Sequence, residues 1–139
     1  MKIYQCLNCG KDSPVSYQKT NKYCSVVCQH EFQYKTYIVE WKQNLQTGIS
    51  GKDQTSKHVK RYIFEKFDNK CSQCGIAEWM GKPISLQLEH IDGNAVNQAE
   101  DNLTLLCPNC HSQTESYAGK NRGNGRHSRR VRYAEGKSY

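Results

Sequence analysis

The chain has 139 residues, 36% of them hydrophobic, with eight Cys, nine Tyr and a formal net charge of +7. That length makes one compact domain or two very small ones, and modules so small need metals, disulfides or partners to supplement apolar packing. No segment approaches the ~20 apolar residues that span a bilayer, and Met1 to Gly10 lacks the apolar run of a secretory signal, so the expectation is a soluble, cytoplasmic protein without a membrane partner.

Taken in chain order, the first element is a CxxC turn, Cys6-Leu-Asn-Cys9, followed after a short loop with Pro14 by Cys24-Ser-Val-Val-Cys28. From about Gln29 the apolar residues Tyr34, Ile38, Trp41 and Leu45 recur at helical spacing, so residues 1–45 read as a zinc-knuckle module with its helix. Gly48 and Gly51 mark a loop. A second amphipathic helix is expected from Ser56, its N-cap, to Phe67, with Val59, Ile63 and Phe67 on one face; residues 46–68 form this connecting segment. The next knuckle, Cys71-Ser-Gln-Cys74, precedes Ile84-Ser-Leu-Gln-Leu-Glu-His90, which alternates with the period of a strand. Asp92-Gly93-Asn94 supplies turn chemistry, and Asn102 to Leu106 reads as a second strand. From the last knuckle, Cys107-Pro-Asn-Cys110, a helix starts that carries His111, Thr114, Glu115 and Tyr117. Residues 69–118 thus make a strand, loop, strand, helix core, and the class is small α+β, stabilised by zinc.

Close cysteine pairs on tight turns in a reducing compartment read as thiolate ligands more readily than as disulfides. A single CxxC is weak evidence, because redox motifs share the spacing. Here four pairs use every cysteine, and tetrahedral zinc wants four such ligands. Pairing in chain order gives one site from Cys6, Cys9, Cys24 and Cys28 and another from Cys71, Cys74, Cys107 and Cys110, although sequence order alone does not prove which pairs meet. Two structural zinc ions are expected.

The positive charge is concentrated at one end. Residues 119–139 hold seven Lys or Arg against one acid, Glu135, which leaves a net +6 there and +1 in the other 118 residues. The cations Lys120, Arg122, Arg126, Arg129, Arg130 and Arg132, spaced by Gly, Asn and Ser, suit a flexible basic tail that binds a phosphate backbone by releasing counterions. The charge run alone does not separate nucleic acid from an anionic membrane surface or from a merely solubilising tail.

The stretch Leu88-Glu-His-Ile-Asp-Gly-Asn94 with Asp101-Asn-Leu-Thr-Leu-Leu-Cys-Pro-Asn-Cys-His-Ser-Gln-Thr114 resembles the HNH endonuclease family, the ββα-metal nucleases, in its zinc-containing phage and bacterial form. The signature positions are His90, Asn102 and His111, with eleven and then eight residues between them. The resemblance covers about Cys71 to Asn121; the N-terminal knuckles and helices are a weaker match to extensions of phage-type members.

What the resemblance implies is a treble-clef-like ββα core that hydrolyses DNA phosphodiesters, duplex DNA being the expected partner. It makes His90 the general base, a role suited to an imidazole titrating near neutrality. It makes Glu89 and His111 the ligands of one catalytic divalent ion, Mg²⁺ or Mn²⁺, which stabilises the phosphate and the leaving oxygen. Asn102 holds the loop and orients the base. Many members place Asp or His where this chain has Glu89, a departure that lengthens the carboxylate arm. The resemblance also suggests a phage or homing role. The alternative is a zinc module that binds DNA without cutting it; an isolated histidine is, after all, more often structural than catalytic. Recognition sequence, oligomeric state and nicking or double-strand cleavage are not written in these residues.

Overall fold

A computed structural model describes residues 1–18, 20–121 and 127–136. The chain divides into two compact units, Met1–Gln46 and Thr47–Tyr139.

In the first unit, strand β1 (Ile3–Gln5) pairs antiparallel with β2 (Asp12–Pro14), Tyr4 opposite Ser13. The knuckle is the turn between them. Gly10, at φ 72°, takes a left-handed conformation that costs a residue without Cβ little, and its N–H donates to the Cys6 carbonyl at 2.9 Å. The second knuckle runs into helix α1 (Val26–Lys42), whose N-cap Ser25 accepts the Cys28 N–H at 3.1 Å. Tyr34, Ile38 and Trp41 are buried as their spacing predicts. The helix begins three residues earlier than Gln29 and ends at Lys42, with Asn44 left-handed just beyond it. Leu45 therefore leaves the helix and is 70% exposed, so it does not extend the apolar face.

The second unit starts with a hairpin, β3 (Ile49–Ser50) and β4 (Gln54–Thr55), that leads directly into helix α2 (Lys57–Lys66). Ser56 caps α2 by accepting the Val59 N–H at 3.2 Å, and Val59 and Ile63 are fully buried. Phe67 is the C-cap and only half-buried. A second hairpin, β5 (Glu78–Trp79) and β6 (Lys82–Pro83), turns through Met80 and Gly81, both at positive φ. The central pair is β7 (Gln87–His90) and β8 (Leu103–Leu106), antiparallel, with Glu89 opposite Thr104 and His90 opposite Leu103. A single 3-10 turn, Glu100–Asn102, precedes β8, and helix α3 (Pro108–Ser112) follows it.

The core of this unit lies where α2 packs on β8. Val59, Ile63, Leu103 and Leu105 are sealed from solvent there, and each such side chain contributes about 1.5–3 kcal/mol of burial. Beside it Cys71, Leu106 and Cys107 form a cluster against Ile76, Ile84 and Leu86, so the connecting helix belongs to the same compact unit as the strands. Helix α3 is shorter than the sequence pattern suggests. Cys107 caps it, with Pro108 at its first position, where a missing N–H costs nothing, and it ends at Ser112. Thr114, Glu115 and Tyr117 therefore lie beyond it. The basic segment, expected as a flexible tail, contains a 3-10 turn (Ala118–Asn121) and helix α4 (His127–Ala134); Arg129, Arg130, Arg132 and Ala134 are good helix formers.

Candidate active site

The eight cysteines, all unbridged, gather into two groups of four: Cys6, Cys9, Cys24 and Cys28, and Cys71, Cys74, Cys107 and Cys110. Within each group the sulfurs lie within 4.8 Å of one another. Three pairs fall at 3.5–3.7 Å: Cys24 with Cys28, Cys9 with Cys24, and Cys74 with Cys107. A disulfide needs about 2.05 Å, whereas sulfurs ~2.3 Å from one tetrahedral zinc stand about 3.8 Å apart. The spacing fits a shared ion. The backbone prepares it as well. The Cys9 N–H, helped by those of Cys24 and Asn8, outweighs burial and draws Cys6 down to about 6. Burial pushes Cys71 up, but the N–H groups of Cys74, Cys107 and Gln73 more than offset it and bring it to about 6. Hydrogen bonding with Cys28 and Cys9 holds Cys24 at about 12, and Cys107 and Cys74 do the same to Cys110. Turn N–H groups aimed at sulfur favour thiolate, so both clusters could hold zinc.

The strand pair and α3 bring Glu89, His90 and His111 together. Cys107 begins the helix, and the His111 N–H donates to the Cys107 carbonyl at 2.9 Å, so the second cysteine cluster sets where His111 starts. Its Nδ1 lies 2.7 Å from Glu89 Oε2. No hydrogen bond is aligned between them, and Nδ1 is sealed from solvent without a hydrogen-bond partner. An unmade hydrogen bond on a buried nitrogen is costly, and two close lone-pair donors that do not bond each other suit a cation taken by both. Glu89 itself is 9% exposed. Its second oxygen, Oε1, accepts the Ser116 hydroxyl at 2.6 Å, and the Tyr117 ring stands edge-on to His111 at 5.1 Å. Ser116 and Tyr117 thus steady the pair from just beyond α3. Neither was legible as a site residue, because nothing in their spacing ties them to the strand.

Asn102 closes the loop between the strands. Its Oδ1 accepts the Asp92 N–H at 3.0 Å, and its Nδ2 donates to Asp92 Oδ1 and to the Asn97 carbonyl, both at 2.9 Å. Burial pushes the Asp92 carboxyl up, but hydrogen bonds from Asn97, Asn94 and Asn102, with the His90 ring nearby, leave it below its ordinary range. The contact given to His90 comes from elsewhere: its Nε2 lies 3.3 Å from Gln98 Oε1. His90 and His111 line a cleft of about 520 Å³ whose walls include Thr55, Lys60, Gln87 and Ala95. Of the basic residues expected to grip DNA, Lys120 lies in the 3-10 turn and Arg129, Arg130 and Arg132 in α4, while Arg122 and Arg126 lie outside the described residues. Among the described residues no helix is long and apolar enough to cross a membrane.

Over 55 residues the chain is 58% identical to the H-N-H endonuclease F-TflIV of Escherichia phage T5. The resemblance to the HNH nucleases stands. The matched segment is 40% of this chain and 24% of the phage protein, so the chain covers about a quarter of that relative. No protein-family profile and no solved structure matches the chain significantly.

Proposed function

We propose that the chain is a metal-dependent HNH endonuclease that hydrolyses DNA phosphodiester bonds, with β7, β8 and α3 as its ββα core. The observation that carries this reading is the buried, unbonded His111 Nδ1 set 2.7 Å from Glu89 Oε2. A carboxylate oxygen and an imidazole nitrogen suit Mg²⁺, Mn²⁺ or a borderline transition ion, and an ion held by so few side chains keeps positions for water and phosphate. Bound there, it would supply Lewis-acid relief of charge on the phosphate and the leaving oxygen. His90 takes the proton of the attacking water. Asn102 keeps the loop after His90 closed, and the cysteine cluster around Cys107 holds His111 in place; each cluster takes one structural zinc. The name of the phage T5 relative supports DNA as substrate and a phage or mobile-element role.

Supercoiled plasmid incubated with the protein and Mg²⁺ or Mn²⁺ should convert to nicked or linear form, and a chelator should stop it. His111→Ala and Glu89→Gln should each lose that activity together with calorimetric binding of the divalent ion. Plasmid left intact at stoichiometric protein would instead mark a binding module.

The basic segment adds affinity without sequence choice. Deleting 119–139 should weaken DNA binding and flatten its salt dependence, each lost phosphate contact lowering the slope of log K against log salt by about 0.9, with zinc content unchanged. A titration at several salt concentrations checks it; an unchanged slope would remove the tail from the DNA-binding surface.

A further inference from the structure

The loop from Ile91 to Asp101 contains one polar side chain buried beside the site, Gln98, which is 4% exposed. Its amide has a defined orientation. Nε2 lies 2.8 Å from the carbonyl oxygen of Ala95, and a carbonyl only accepts, so the NH₂ group must face it. Oε1 then faces the other way, where it accepts the Thr55 hydroxyl at 3.0 Å and stands 3.3 Å from His90 Nε2. An amide oxygen cannot donate. His90 Nε2 must therefore carry the hydrogen, and Nδ1 is left with the lone pair.

We infer that Gln98 is a positioning residue for His90, fixing the ring's orientation and its Nε2–H tautomer so that Nδ1 is the nitrogen able to take a proton. The inference rests on the reading of His90 as base, although the tautomer itself does not. Thr55, at the end of β4, anchors the amide oxygen from the other side, so the short hairpin before α2 has a part in the site that its two-residue strands do not suggest. Asn102 works one step further back: it accepts from Asp92 and donates to Asp92 and Asn97, closing the loop that delivers Gln98. A neutral imidazole in water samples both tautomers, and only one presents a lone pair at a given nitrogen. Holding that one avoids losing productive encounters to the wrong form.

Nitrogen-15 spectra of the full chain, labelled at its histidine side chains and recorded where the rings are neutral, read the tautomer directly. The expected result is a protonated Nε2 and a bare Nδ1 for His90, with mixed character appearing in Gln98→Met. In plasmid hydrolysis the same variant should lose about 10- to 100-fold in kcat, with KM and zinc content close to the parent and a cooperative melt somewhat lowered by the partners left on Ala95 and Thr55. A wild-type His90 protonated at Nδ1 overturns the inference, as does a Gln98→Met variant with the parent's spectrum and kcat. If the chain hydrolyses nothing, the base reading fails, and the wild-type spectrum still decides the Gln98 contact by itself.

Discussion

Cys107→Ser should lose one of two zinc ions per chain and unfold the second unit while leaving the first folded. Cys107 has several jobs at once. It is 1% exposed in the cluster with Leu106 and Cys71, its sulfur lies 3.7 Å from Cys74, and it accepts the Cys110 N–H that starts α3. A serine hydroxyl stays protonated at neutral pH and cannot replace a thiolate. Structural zinc in small modules is worth about 10–16 kcal/mol of apparent binding free energy, against a net stability of about 5–15 kcal/mol for a typical domain. The apolar core where α2 meets β8 is too small to absorb that loss. Metal analysis should read one zinc instead of two, and circular dichroism should show a large loss of cooperative melting. Two zincs and an unchanged melt would mean that Cys107 is not needed to hold the ion. Acid should reproduce the effect in both units. Cys6 and Cys71 ionise at about 6 rather than the usual 9, so their folded pKa is depressed. Their contribution is complete above about 9 and is lost as the pH falls through about 6. Cys24 and Cys110, held at about 12 without metal, must each release a proton when an ion binds, which makes zinc uptake weaker still in acid.

The parts legible in the sequence are those whose chemistry repeats locally. The knuckles announce themselves through paired cysteines, α1 and α2 through Tyr34, Ile38 and Trp41 and through Val59 and Ile63, and the start of α2 through the hydroxyl of Ser56. The end of α1 was misplaced at Leu45, because periodicity counts a leucine as helical whether or not the helix reaches it. Left-handed Asn44 stops the helix first. In the second unit, the two hairpins outside the central strands, Ile49–Thr55 and Glu78–Pro83, have strands of two residues, too short for an alternation to register. The site shows the same division. Glu89 and His111 lie 22 residues apart in sequence, and the motif links them. Ser116 meets Glu89 through one hydrogen bond and Gln98 meets Thr55 and His90 through its amide oxygen, and contacts formed by packing leave no spacing to read. Helix α3 is short for a related reason: capping by Cys107 and Pro108 fixes where it begins, while the path after Ser112 follows contacts across the fold, the Ser116 hydroxyl on Glu89 and the Tyr117 ring against His111.

His90→Ala should leave the fold and both cysteine clusters intact and remove turnover. The backbone of His90 keeps its place opposite Leu103 whatever side chain it carries, and the half-buried ring is not part of the α2–β8 core. Glu89 and His111 meet through other atoms, so affinity for the divalent ion should match the parent, unlike that of His111→Ala. On the proposed mechanism, what disappears is the nitrogen that would accept the proton of water in the cleft. Loss of a positioned general base costs about 10²- to 10⁴-fold in rate, or about 2.7–5.5 kcal/mol of barrier at 1.36 kcal/mol per decade. The loss should fall on kcat with KM nearly unchanged, since on that reading a ground-state phosphate would be held by the divalent ion and the basic side chains. Added imidazole should restore part of the rate, because the cleft of about 520 Å³ beside the deleted ring is open to a molecule of that size. Plasmid nicking with and without imidazole, alongside calorimetry of the divalent ion, separates the outcomes. Full activity in His90→Ala would move the base to another residue. A variant inactive because it no longer binds the ion would make His90 a support of the metal pair, and the division of labour between adjacent Glu89 and His90 would have to be redrawn.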